Sequence, residues 1–397
     1  MPSQPLRTAI IGLSASATTS WAADAHLPAL LSSRGKDLFK VTALCNSSVA
    51  AADSAIETYN LGATAKAYGN PTDLAADPAV DLVLCSTRVD KHYDTILPAV
   101  QAGKSAFVEW PIGANLSEAE ELAKAAKIAD SCSHGDGTLR AQVAVGLQGR
   151  FAPPVMRVKE TLQSGRLGKL LSTELRAFGG TRDREILPTG LKYFAQKEVG
   201  GNPITIGFGH VIDWVQSVVG DIIPGTDHVH FQIQRPDIRV KDSKTGTFVE
   251  SFQSDVPDLL SLHGSLPQSP HVTAHASLIA YFARGQPYPG DPSLTWTLTC
   301  ELGTIRLTAP AGMSLQADAY AGPVTITVHR FDTDEVEQVQ WTWSDAQLEL
   351  PVRARSVLTC LVSLAEGNED GYVSLEDGVR RARQIARWLD SAPASVF

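Results

Sequence analysis

The stretch Thr8-Ala9-Ile10-Ile11-Gly12-Leu13-Ser14-Ala15-Ser16 decides the fold, because a short apolar run breaks at a glycine and passes into small residues ahead of a helical pattern. Thr8 to Leu13 reads as a strand, and the glycine marks the turn that feeds a helix. The same alternation repeats downstream. Strands are predicted at Phe39 to Cys45, Val80 to Ser86, Ser105 to Glu109 and Ala141 to Leu147, with helices at Trp21 to Ser33, Ser48 to Tyr59, Lys91 to Ala102 and Ser117 to Ala129. The last helix opens Ser117-Glu118-Ala119-Glu120, a capping box with serine as N-cap. Strands alternating with helices at this spacing predict a parallel sheet covered on both faces. Asp130 to Leu139, small and polar, reads as a surface loop whose His134 and Asp136 are solvent-exposed rather than metal ligands.

After Arg150 the pattern changes. A helix is expected from Pro153 to about Ser164, a strand from Lys169 to Phe178, an irregular stretch from Gly179 to Gly201, and an apolar helix from Ile204 to Val219 carrying His210. From Val229 to Trp343 the period falls to two, in Val229 to Gln234, Ala276 to Phe282, Leu294 to Thr299, Thr304 to Leu307, Val324 to Val328 and Val339 to Trp343. Such alternation marks antiparallel strands with one buried face. Helical patterns at Arg353 to Ala365 and Leu375 to Ser391 close the chain. The predicted fold class is α/β followed by α+β. Residues 1–150 form a Rossmann dinucleotide-binding domain, and residues 151–397 a substrate and dimerisation domain with a large, mostly antiparallel open β-sheet flanked by helices. The C-terminal helices, about 353–391, have the option of packing back on the first domain. The outward face of the sheet is expected to carry Leu294, Trp296, Leu298, Ile326 and Val328 and to bury itself against a copy of the chain, giving a homodimer.

Composition sets the outer limits. A chain of 397 residues is too long for one ordinary core, and 43% apolar with 19% charged residues describes a soluble globular protein. The formal charge of −9, without clustered Lys and Arg, argues against direct nucleic-acid binding. Met1 to Arg7 runs into the first strand without a signal-peptide apolar region, and no apolar run has the length of a membrane span, so a cytoplasmic protein with no membrane partner is expected. Five scattered cysteines, Cys45, Cys85, Cys132, Cys300 and Cys360, read as reduced thiols, and no metal site is expected.

A dinucleotide fold needs backbone amides that can approach a pyrophosphate at the start of the first helix, which is why glycines usually stand there. Here Gly12 remains, with Ser14, Ala15 and Ser16 in the other places, and small residues keep the approach open. Taken alone, an ordinary strand-to-helix turn explains Gly12 equally well. Its place at the head of a five-strand series favours the nucleotide. After the second strand, Asn46-Ser47-Ser48 offers no carboxylate for a ribose 2′-hydroxyl, which favours NADP, with NAD as the alternative.

Further motifs carry a resemblance. Gly12-Leu13 followed by Trp21-Ala22 and His26-Leu-Pro-Ala29, His92 ahead of Ala102-Gly-Lys104, Phe107-Val-Glu-Trp110, Leu147-Gln-Gly-Arg150, Gly165-Arg-Leu-Gly168, Lys192-Tyr193 and Phe208-Gly-His-Val-Ile-Asp213 span nearly the whole chain. The sequence resembles the glucose-fructose oxidoreductase/inositol dehydrogenase/MocA family, and within it the branch of the yeast galactose/lactose metabolism regulatory protein. Enzymes of that family usually carry Glu-Lys-Pro at the fourth strand end, and an aspartate four residues before a histidine on the sheet-domain helix. Those side chains bind substrate and move its proton. Here Glu109-Trp110-Pro111 puts Trp110 in the lysine position, and Ile206 stands in the aspartate position. His210 remains, with Asp213 three residues on to orient it.

The resemblance implies a cofactor set of Gly12, Ser14, Ala15, Ser16, Asn46, Ser47, Ser48, Ser86, Thr87, His92, Glu109 and Trp110. Glu109 would serve structure or the nicotinamide ribose. Trp110, Arg150 and Asp213 are the substrate-binding candidates, with Arg150 anchoring the domain junction. His210 is the catalytic candidate, a proton donor or acceptor in the neutral range, or else a packed histidine satisfied by hydrogen bonds. Tyr193 and Lys192 either supply the missing phenol or ammonium or form a surface pair. Trp110 either gives a flat apolar wall suited to a hydrophobic substrate or fills the pocket and abolishes catalysis. Arg182 to Glu185 reads as a solvated loop. Two functions follow: an NAD(P)-dependent oxidoreductase acting on a small carbonyl, imine or alkene, or a cofactor-sensing transcriptional co-regulator, in the cytoplasm or nucleus, that binds an activator peptide. The enzyme is favoured because the shared scaffold is built around hydride chemistry.

Overall fold

A computed structural model describes residues 4–17, 20–132 and 141–392. His134 and Asp136, the histidine and aspartate of the expected surface loop, lie outside them. The chain divides into two units, one reaching to Gln148 and including Ser344–Ala386, the other comprising Gly149–Trp343 and the chain from Arg387.

In the first unit, β1 (Leu6–Ile11), β2 (Phe39–Cys45), β3 (Lys66–Tyr68), β4 (Leu82–Cys85), β5 (Ser105–Glu109) and β6 (Val143–Gly146) form one sheet with the short strand Val373–Ser374. The order is Val373–Ser374, β6, β5, β4, β1, β2, β3. The six numbered strands are parallel, and Val373–Ser374 joins β6 antiparallel. Ala9, Ile10 and Ile11 are buried, as are all four residues of β4, because helices cover both faces and leave no place for alternation. The strand order reverses between β1 and β4, the place where open α/β sheets form a crevice at their carboxyl ends.

Several local expectations shift. The helix expected over Trp21 to Ser33 is a π-helical turn (Ala22–His26) followed by Leu27–Leu31, and a separate helix, Ser33–Leu38, starts where the Ser32 hydroxyl accepts from the Gly35 amide at 2.9 Å. The edge strand β3 is an addition, tied down where the Asp77 carboxylate accepts from Lys66 at 2.8 Å and from the Tyr68 hydroxyl at 2.6 Å. The helix expected over Ser117 to Ala129 spans Leu116–Cys132, continuing past Asp130 where a loop is expected. Its N-cap sits two residues early and is not the reciprocal box expected at Ser117: Asn115 Oδ1 accepts from the Glu118 amide at 3.0 Å, while Glu118 accepts from the amide of Ala114, one residue before the cap, at 2.7 Å.

The second unit holds β7 (Leu170–Gly179), β8 (Ile186–Pro188), β9 (His228–Gln232), β10 (Asp237–Lys241), β11 (Phe248–Gln253), β12 (Leu259–Ser265), β13 (Val272–Arg284), β14 (Leu294–Cys300), β15 (Gly303–Ala309), β16 (Thr325–Arg330) and β17 (Val336–Gln338). Eight of them run β17-β16-β15-β14-β7-β13-β12-β9, antiparallel except for the pair β7 and β13. The other three, β11-β10-β8, make a small sheet out of residues that include the supposedly irregular 179–201 stretch. Val339 to Trp343, expected to be a strand, lies beyond β17; the Val339 amide still donates to Ile326 O at 2.8 Å, and the Trp341 indole donates to Val324 O.

The alternation in the large sheet is real, but the faces are reversed. Leu294, Trp296, Leu298, Ile326 and Val328 are all 0% exposed and face the unit's own core, where the Trp214 ring meets Trp296 edge-on at 5.1 Å. The opposite face carries Thr295, Thr297, Thr299, Thr304, Thr308, Thr325 and Thr327. Large apolar side chains go to the face with helices because that face is shut off from water, which removes the apolar argument for self-association. Trp296→Ala should therefore cost about 3–5 kcal/mol, and Thr297→Ala less than about 0.5 kcal/mol, in urea denaturation. Equal costs would contradict this assignment of faces.

Candidate functional site

In the first unit the strand ends converge on Gly12. Its φ of +95° lies in the left-handed region, and a Cβ there would stand 2.5 Å from the Ser86 carbonyl oxygen and 2.9 Å from Thr87 Cγ2. Only glycine fits. The Gly12 amide donates to Cys45 O at 3.1 Å, and the Ser86 amide to Ile11 O at 3.0 Å, so the ends of β1, β2 and β4 are stitched together. Beyond Gly12, the Ser14 hydroxyl accepts from the amides of Ser16 and Ala17, both at 3.2 Å, and Ala15 and Ser16 are exposed. A turn this open, free of large side chains in its described part, fits the close approach of a pyrophosphate. Ser47 is exposed, and Ser48 caps the helix Val49–Thr58 by accepting from the Ala51 amide.

His92 is buried between two loops, with Nδ1 2.7 Å from Pro111 O and Nε2 3.0 Å from Thr87 O. Burial pulls its pKa below the ordinary imidazole value, while both carbonyls oppose that shift. Both ring nitrogens are thus engaged with backbone, and His92 joins the β4 end to the Trp110-Pro111 turn.

Glu109 ends β5 and is buried. Its Oε1 accepts from the Trp21 indole at 3.1 Å and lies 2.7 Å from His26 Nε2. Trp21 precedes the π-helical turn and His26 ends it, five residues apart, and both side chains reach one carboxylate oxygen. His26 is fully buried, edge-on to Phe107 at 5.3 Å, and its Nδ1 has no hydrogen-bond partner among the described residues. The other oxygen of Glu109 rests over Gly146, where a Cβ would come within 2.3 Å of Oε2 and 3.0 Å of Glu109 Cα. Arg353 lies over the Trp21 ring at 6.0 Å and pairs with Asp24 at 2.8 Å. Trp110, next to Glu109, is buried.

In the second unit a π-helical turn, Pro203–Phe208, leads into the helix Gly209–Val219. Asn202 Oδ1 accepts from the amides of Ile204 and Thr205, and Thr205 Oγ1 accepts from the Asn202 amide, which fixes the start of the turn. Ile206 packs with Leu191, Tyr193 and Phe252 against a buried cluster of Leu187, Phe194, Ala195 and Ile238. An isoleucine, rather than a carboxylate, suits those neighbours. His210 is buried at the second position of the helix. Asp213, expected to orient it, receives a two-pronged bond from Arg150, Nε to Oδ2 and Nη2 to Oδ1, each at 2.7 Å. Lys192 donates to both oxygens of Glu250 at 2.7 Å and lies over the Phe252 ring, while Tyr193 meets Phe194 edge-on at 5.0 Å.

The first unit thus brings together Gly12, Ser14 to Ser16, Asn46, Ser86, Thr87, His92 and Glu109 around the strand ends. The second places Arg150 with Asp213 and Lys192 with Tyr193 on separate anchors. Trp21, His26 and Gly146 carry structural weight that the sequence reading did not assign to them; the five-residue interval from Trp21 to His26 was the available signal for the first two. Among the described residues no group of side chains is arranged to hold a metal, and no helix is long and apolar enough to cross a membrane.

Residues 6–134 match the model of an oxidoreductase family with an NAD-binding Rossmann fold, and residues 153–309 match that of the Gal80p C-terminal domain. The chain is 28% identical over 396 residues to dehydrogenase aclE of Aspergillus oryzae, covering 98% of this chain and 97% of that one. It is 27% identical over 268 residues to the galactose/lactose metabolism regulatory protein GAL80 of Saccharomyces cerevisiae, covering 66% of this chain and 58% of the other. Among solved structures, a super-repressor mutant of Gal80p from the same yeast superposes with a TM-score of 0.81 at 20% identity, over 98% of this chain and 95% of that one. An Agrobacterium radiobacter oxidoreductase crystallised with NAD+, L-tartaric acid and magnesium gives 0.69 at 16% identity, over 98% and 96%. At such identities these structures show the shared fold.

Two variants test the geometry. Gly146→Ala forces the Glu109 carboxylate off Trp21 and His26 and should destabilise the protein by about 1–3 kcal/mol in chemical denaturation; an unchanged midpoint would contradict the contact. Asp213→Asn removes the negative charge from the two-pronged bond with Arg150 and should cost about 3–5 kcal/mol, most of it recovered in the Arg150→Met/Asp213→Leu double variant. A double variant no better than the single would show that the pair is not acting as a unit.

Proposed function

The chain belongs to the glucose-fructose oxidoreductase/inositol dehydrogenase/MocA family, with a Gal80p-like second domain, and from that premise we propose that it is an NAD(P)-dependent oxidoreductase acting on a small, hydrophobic carbonyl, imine or alkene. The observation that carries the reading is the turn at Gly12, where the contact with Ser86 admits no side chain and the next residues are small. Similarity to a dehydrogenase along nearly the full length of both chains supports it. Bound nicotinamide supplies or accepts the hydride. The chain's own part is to hold the pyrophosphate at the turn, to present Glu109 through Trp21 and His26, and to move a proton through His210. Trp110 and Ile206, in place of lysine and aspartate, remove two ionisable groups and favour an apolar substrate over a bare sugar. Ser47 and Ser48, exposed after β2, offer hydroxyls and no carboxylate to a ribose, so NADP is the proposed cofactor, with NAD bound no more tightly.

The match to the Gal80p C-terminal domain favours a second reading, a nucleotide-sensing regulator that captures an activator peptide. Turnover separates the two. In the oxidoreductase, His210→Ala lowers kcat by about a hundredfold or more with nucleotide affinity nearly intact, and Trp110→Lys disturbs substrate binding without restoring the usual site, since Ile206 still withholds the carboxylate. Reduced-nicotinamide absorbance across a carbonyl panel, with calorimetric titration of NADP and NAD, reads both. Activity indifferent to His210→Ala would sink the proposed proton transfer, and nucleotide binding without any turnover, joined to capture of an activator peptide, would favour the regulator.

A further inference from the structure

A phosphate turn with a single glycine needs something else to hold its peptide planes. Leu13 O accepts from the Asn46 side-chain amide at 2.8 Å, and Ser14 O accepts from the Tyr59 hydroxyl at 3.0 Å. Asn46 Nδ2 also lies 3.3 Å from Ala51 O, and the Asn46 main-chain amide donates to Tyr68 O at 3.1 Å, so this side chain is fixed facing β1. Tyr59 follows the helix Val49–Thr58 and is held through its own amide on Ala55 O at 3.0 Å. In a trans peptide the C=O and the following N–H point in opposite directions. Pinning the carbonyls of Leu13 and Ser14 toward Asn46 and Tyr59 therefore aims the amides of Ser14 and Ala15 the other way, as a pair of donors.

We infer that Asn46 and Tyr59 are positioning residues that aim the amides of the nucleotide turn, and that Asn46 does not select between NAD and NADP. The inference rests on the nucleotide reading of this turn. Asn46 stands where a dinucleotide fold usually places the acidic residue that grips the ribose, yet its amide is spent on two carbonyl oxygens. An aspartate there cannot donate to either carbonyl and would set negative charge against both. Asn46→Asp, the obvious exchange for creating NAD preference, instead loosens the turn for both nucleotides. Tyr59→Phe removes one hydrogen bond and keeps the ring.

The test titrates the full-length protein and both variants with NADP and NAD, and follows amide hydrogen exchange at Ser14 and Ala15. Tyr59→Phe should weaken both nucleotides by the same factor, about fivefold, and Asn46→Asp should weaken both with the NADP-to-NAD ratio held within about twofold. Exchange at the two amides should be faster in Tyr59→Phe at an unchanged melting temperature. An Asn46→Asp variant that gains NAD preference, or a Tyr59→Phe variant that binds both nucleotides like the parent, would overturn the inference. If the parent binds neither nucleotide, the function proposed above fails, and exchange decides the inference alone: faster amides in Tyr59→Phe support it, and unchanged amides overturn it.

Discussion

The first unit depends on one steric constraint, the absence of any room for a side chain at residue 12. With Gly12 in a left-handed conformation against the Ser86 carbonyl, the ends of β1 and β4 close to van der Waals contact. A chain of contacts continues from there. The loop after Ser86 presents Thr87 O to His92, His92 reaches Pro111 O, and Glu109, two residues before Pro111, is held by Trp21 and His26. These contacts run from Gly12 through Thr87 and His92 to the turn after Glu109 and join the ends of β1, β4 and β5.

Trp110 and Ile206 stand where the family resemblance leads one to expect a lysine and an aspartate. Ile206 has been absorbed into the cluster around Leu187 and Phe194, which shows that this substitution is built into the packing of the second unit. Asp213 and Arg150 likewise spend their charges on each other. His210, buried in the same helix, is the group on which the proposed proton transfer rests.

Much of this was legible in the sequence, for physical reasons that differ by region. The parallel sheet was readable because strands buried on both faces are continuous apolar runs, as at Leu82 to Cys85. The large antiparallel sheet was readable from period two, yet its facing was not, since alternation says that Trp296 and Thr297 lie on opposite sides and not which side is covered. Short elements were lost. The edge strand β3 is held by the Asp77 carboxylate, and the π turn at Ala22–His26 by long-range contact with Glu109, and neither cause is local. Asn46 was placed correctly at the end of β2, but the direction of its side chain depends on Leu13 O, a partner 33 residues away.

The central claim is that the amides of this turn hold a nucleotide pyrophosphate. A crystal structure of the protein soaked in NADPH tests it most directly. The account predicts density for the pyrophosphate against the turn from Gly12 to Ser16, with Gly12, Asn46 and Tyr59 unmoved and Glu109 still on Trp21 and His26. A nucleotide bound away from this turn, or an empty turn at saturating NADPH, would contradict it.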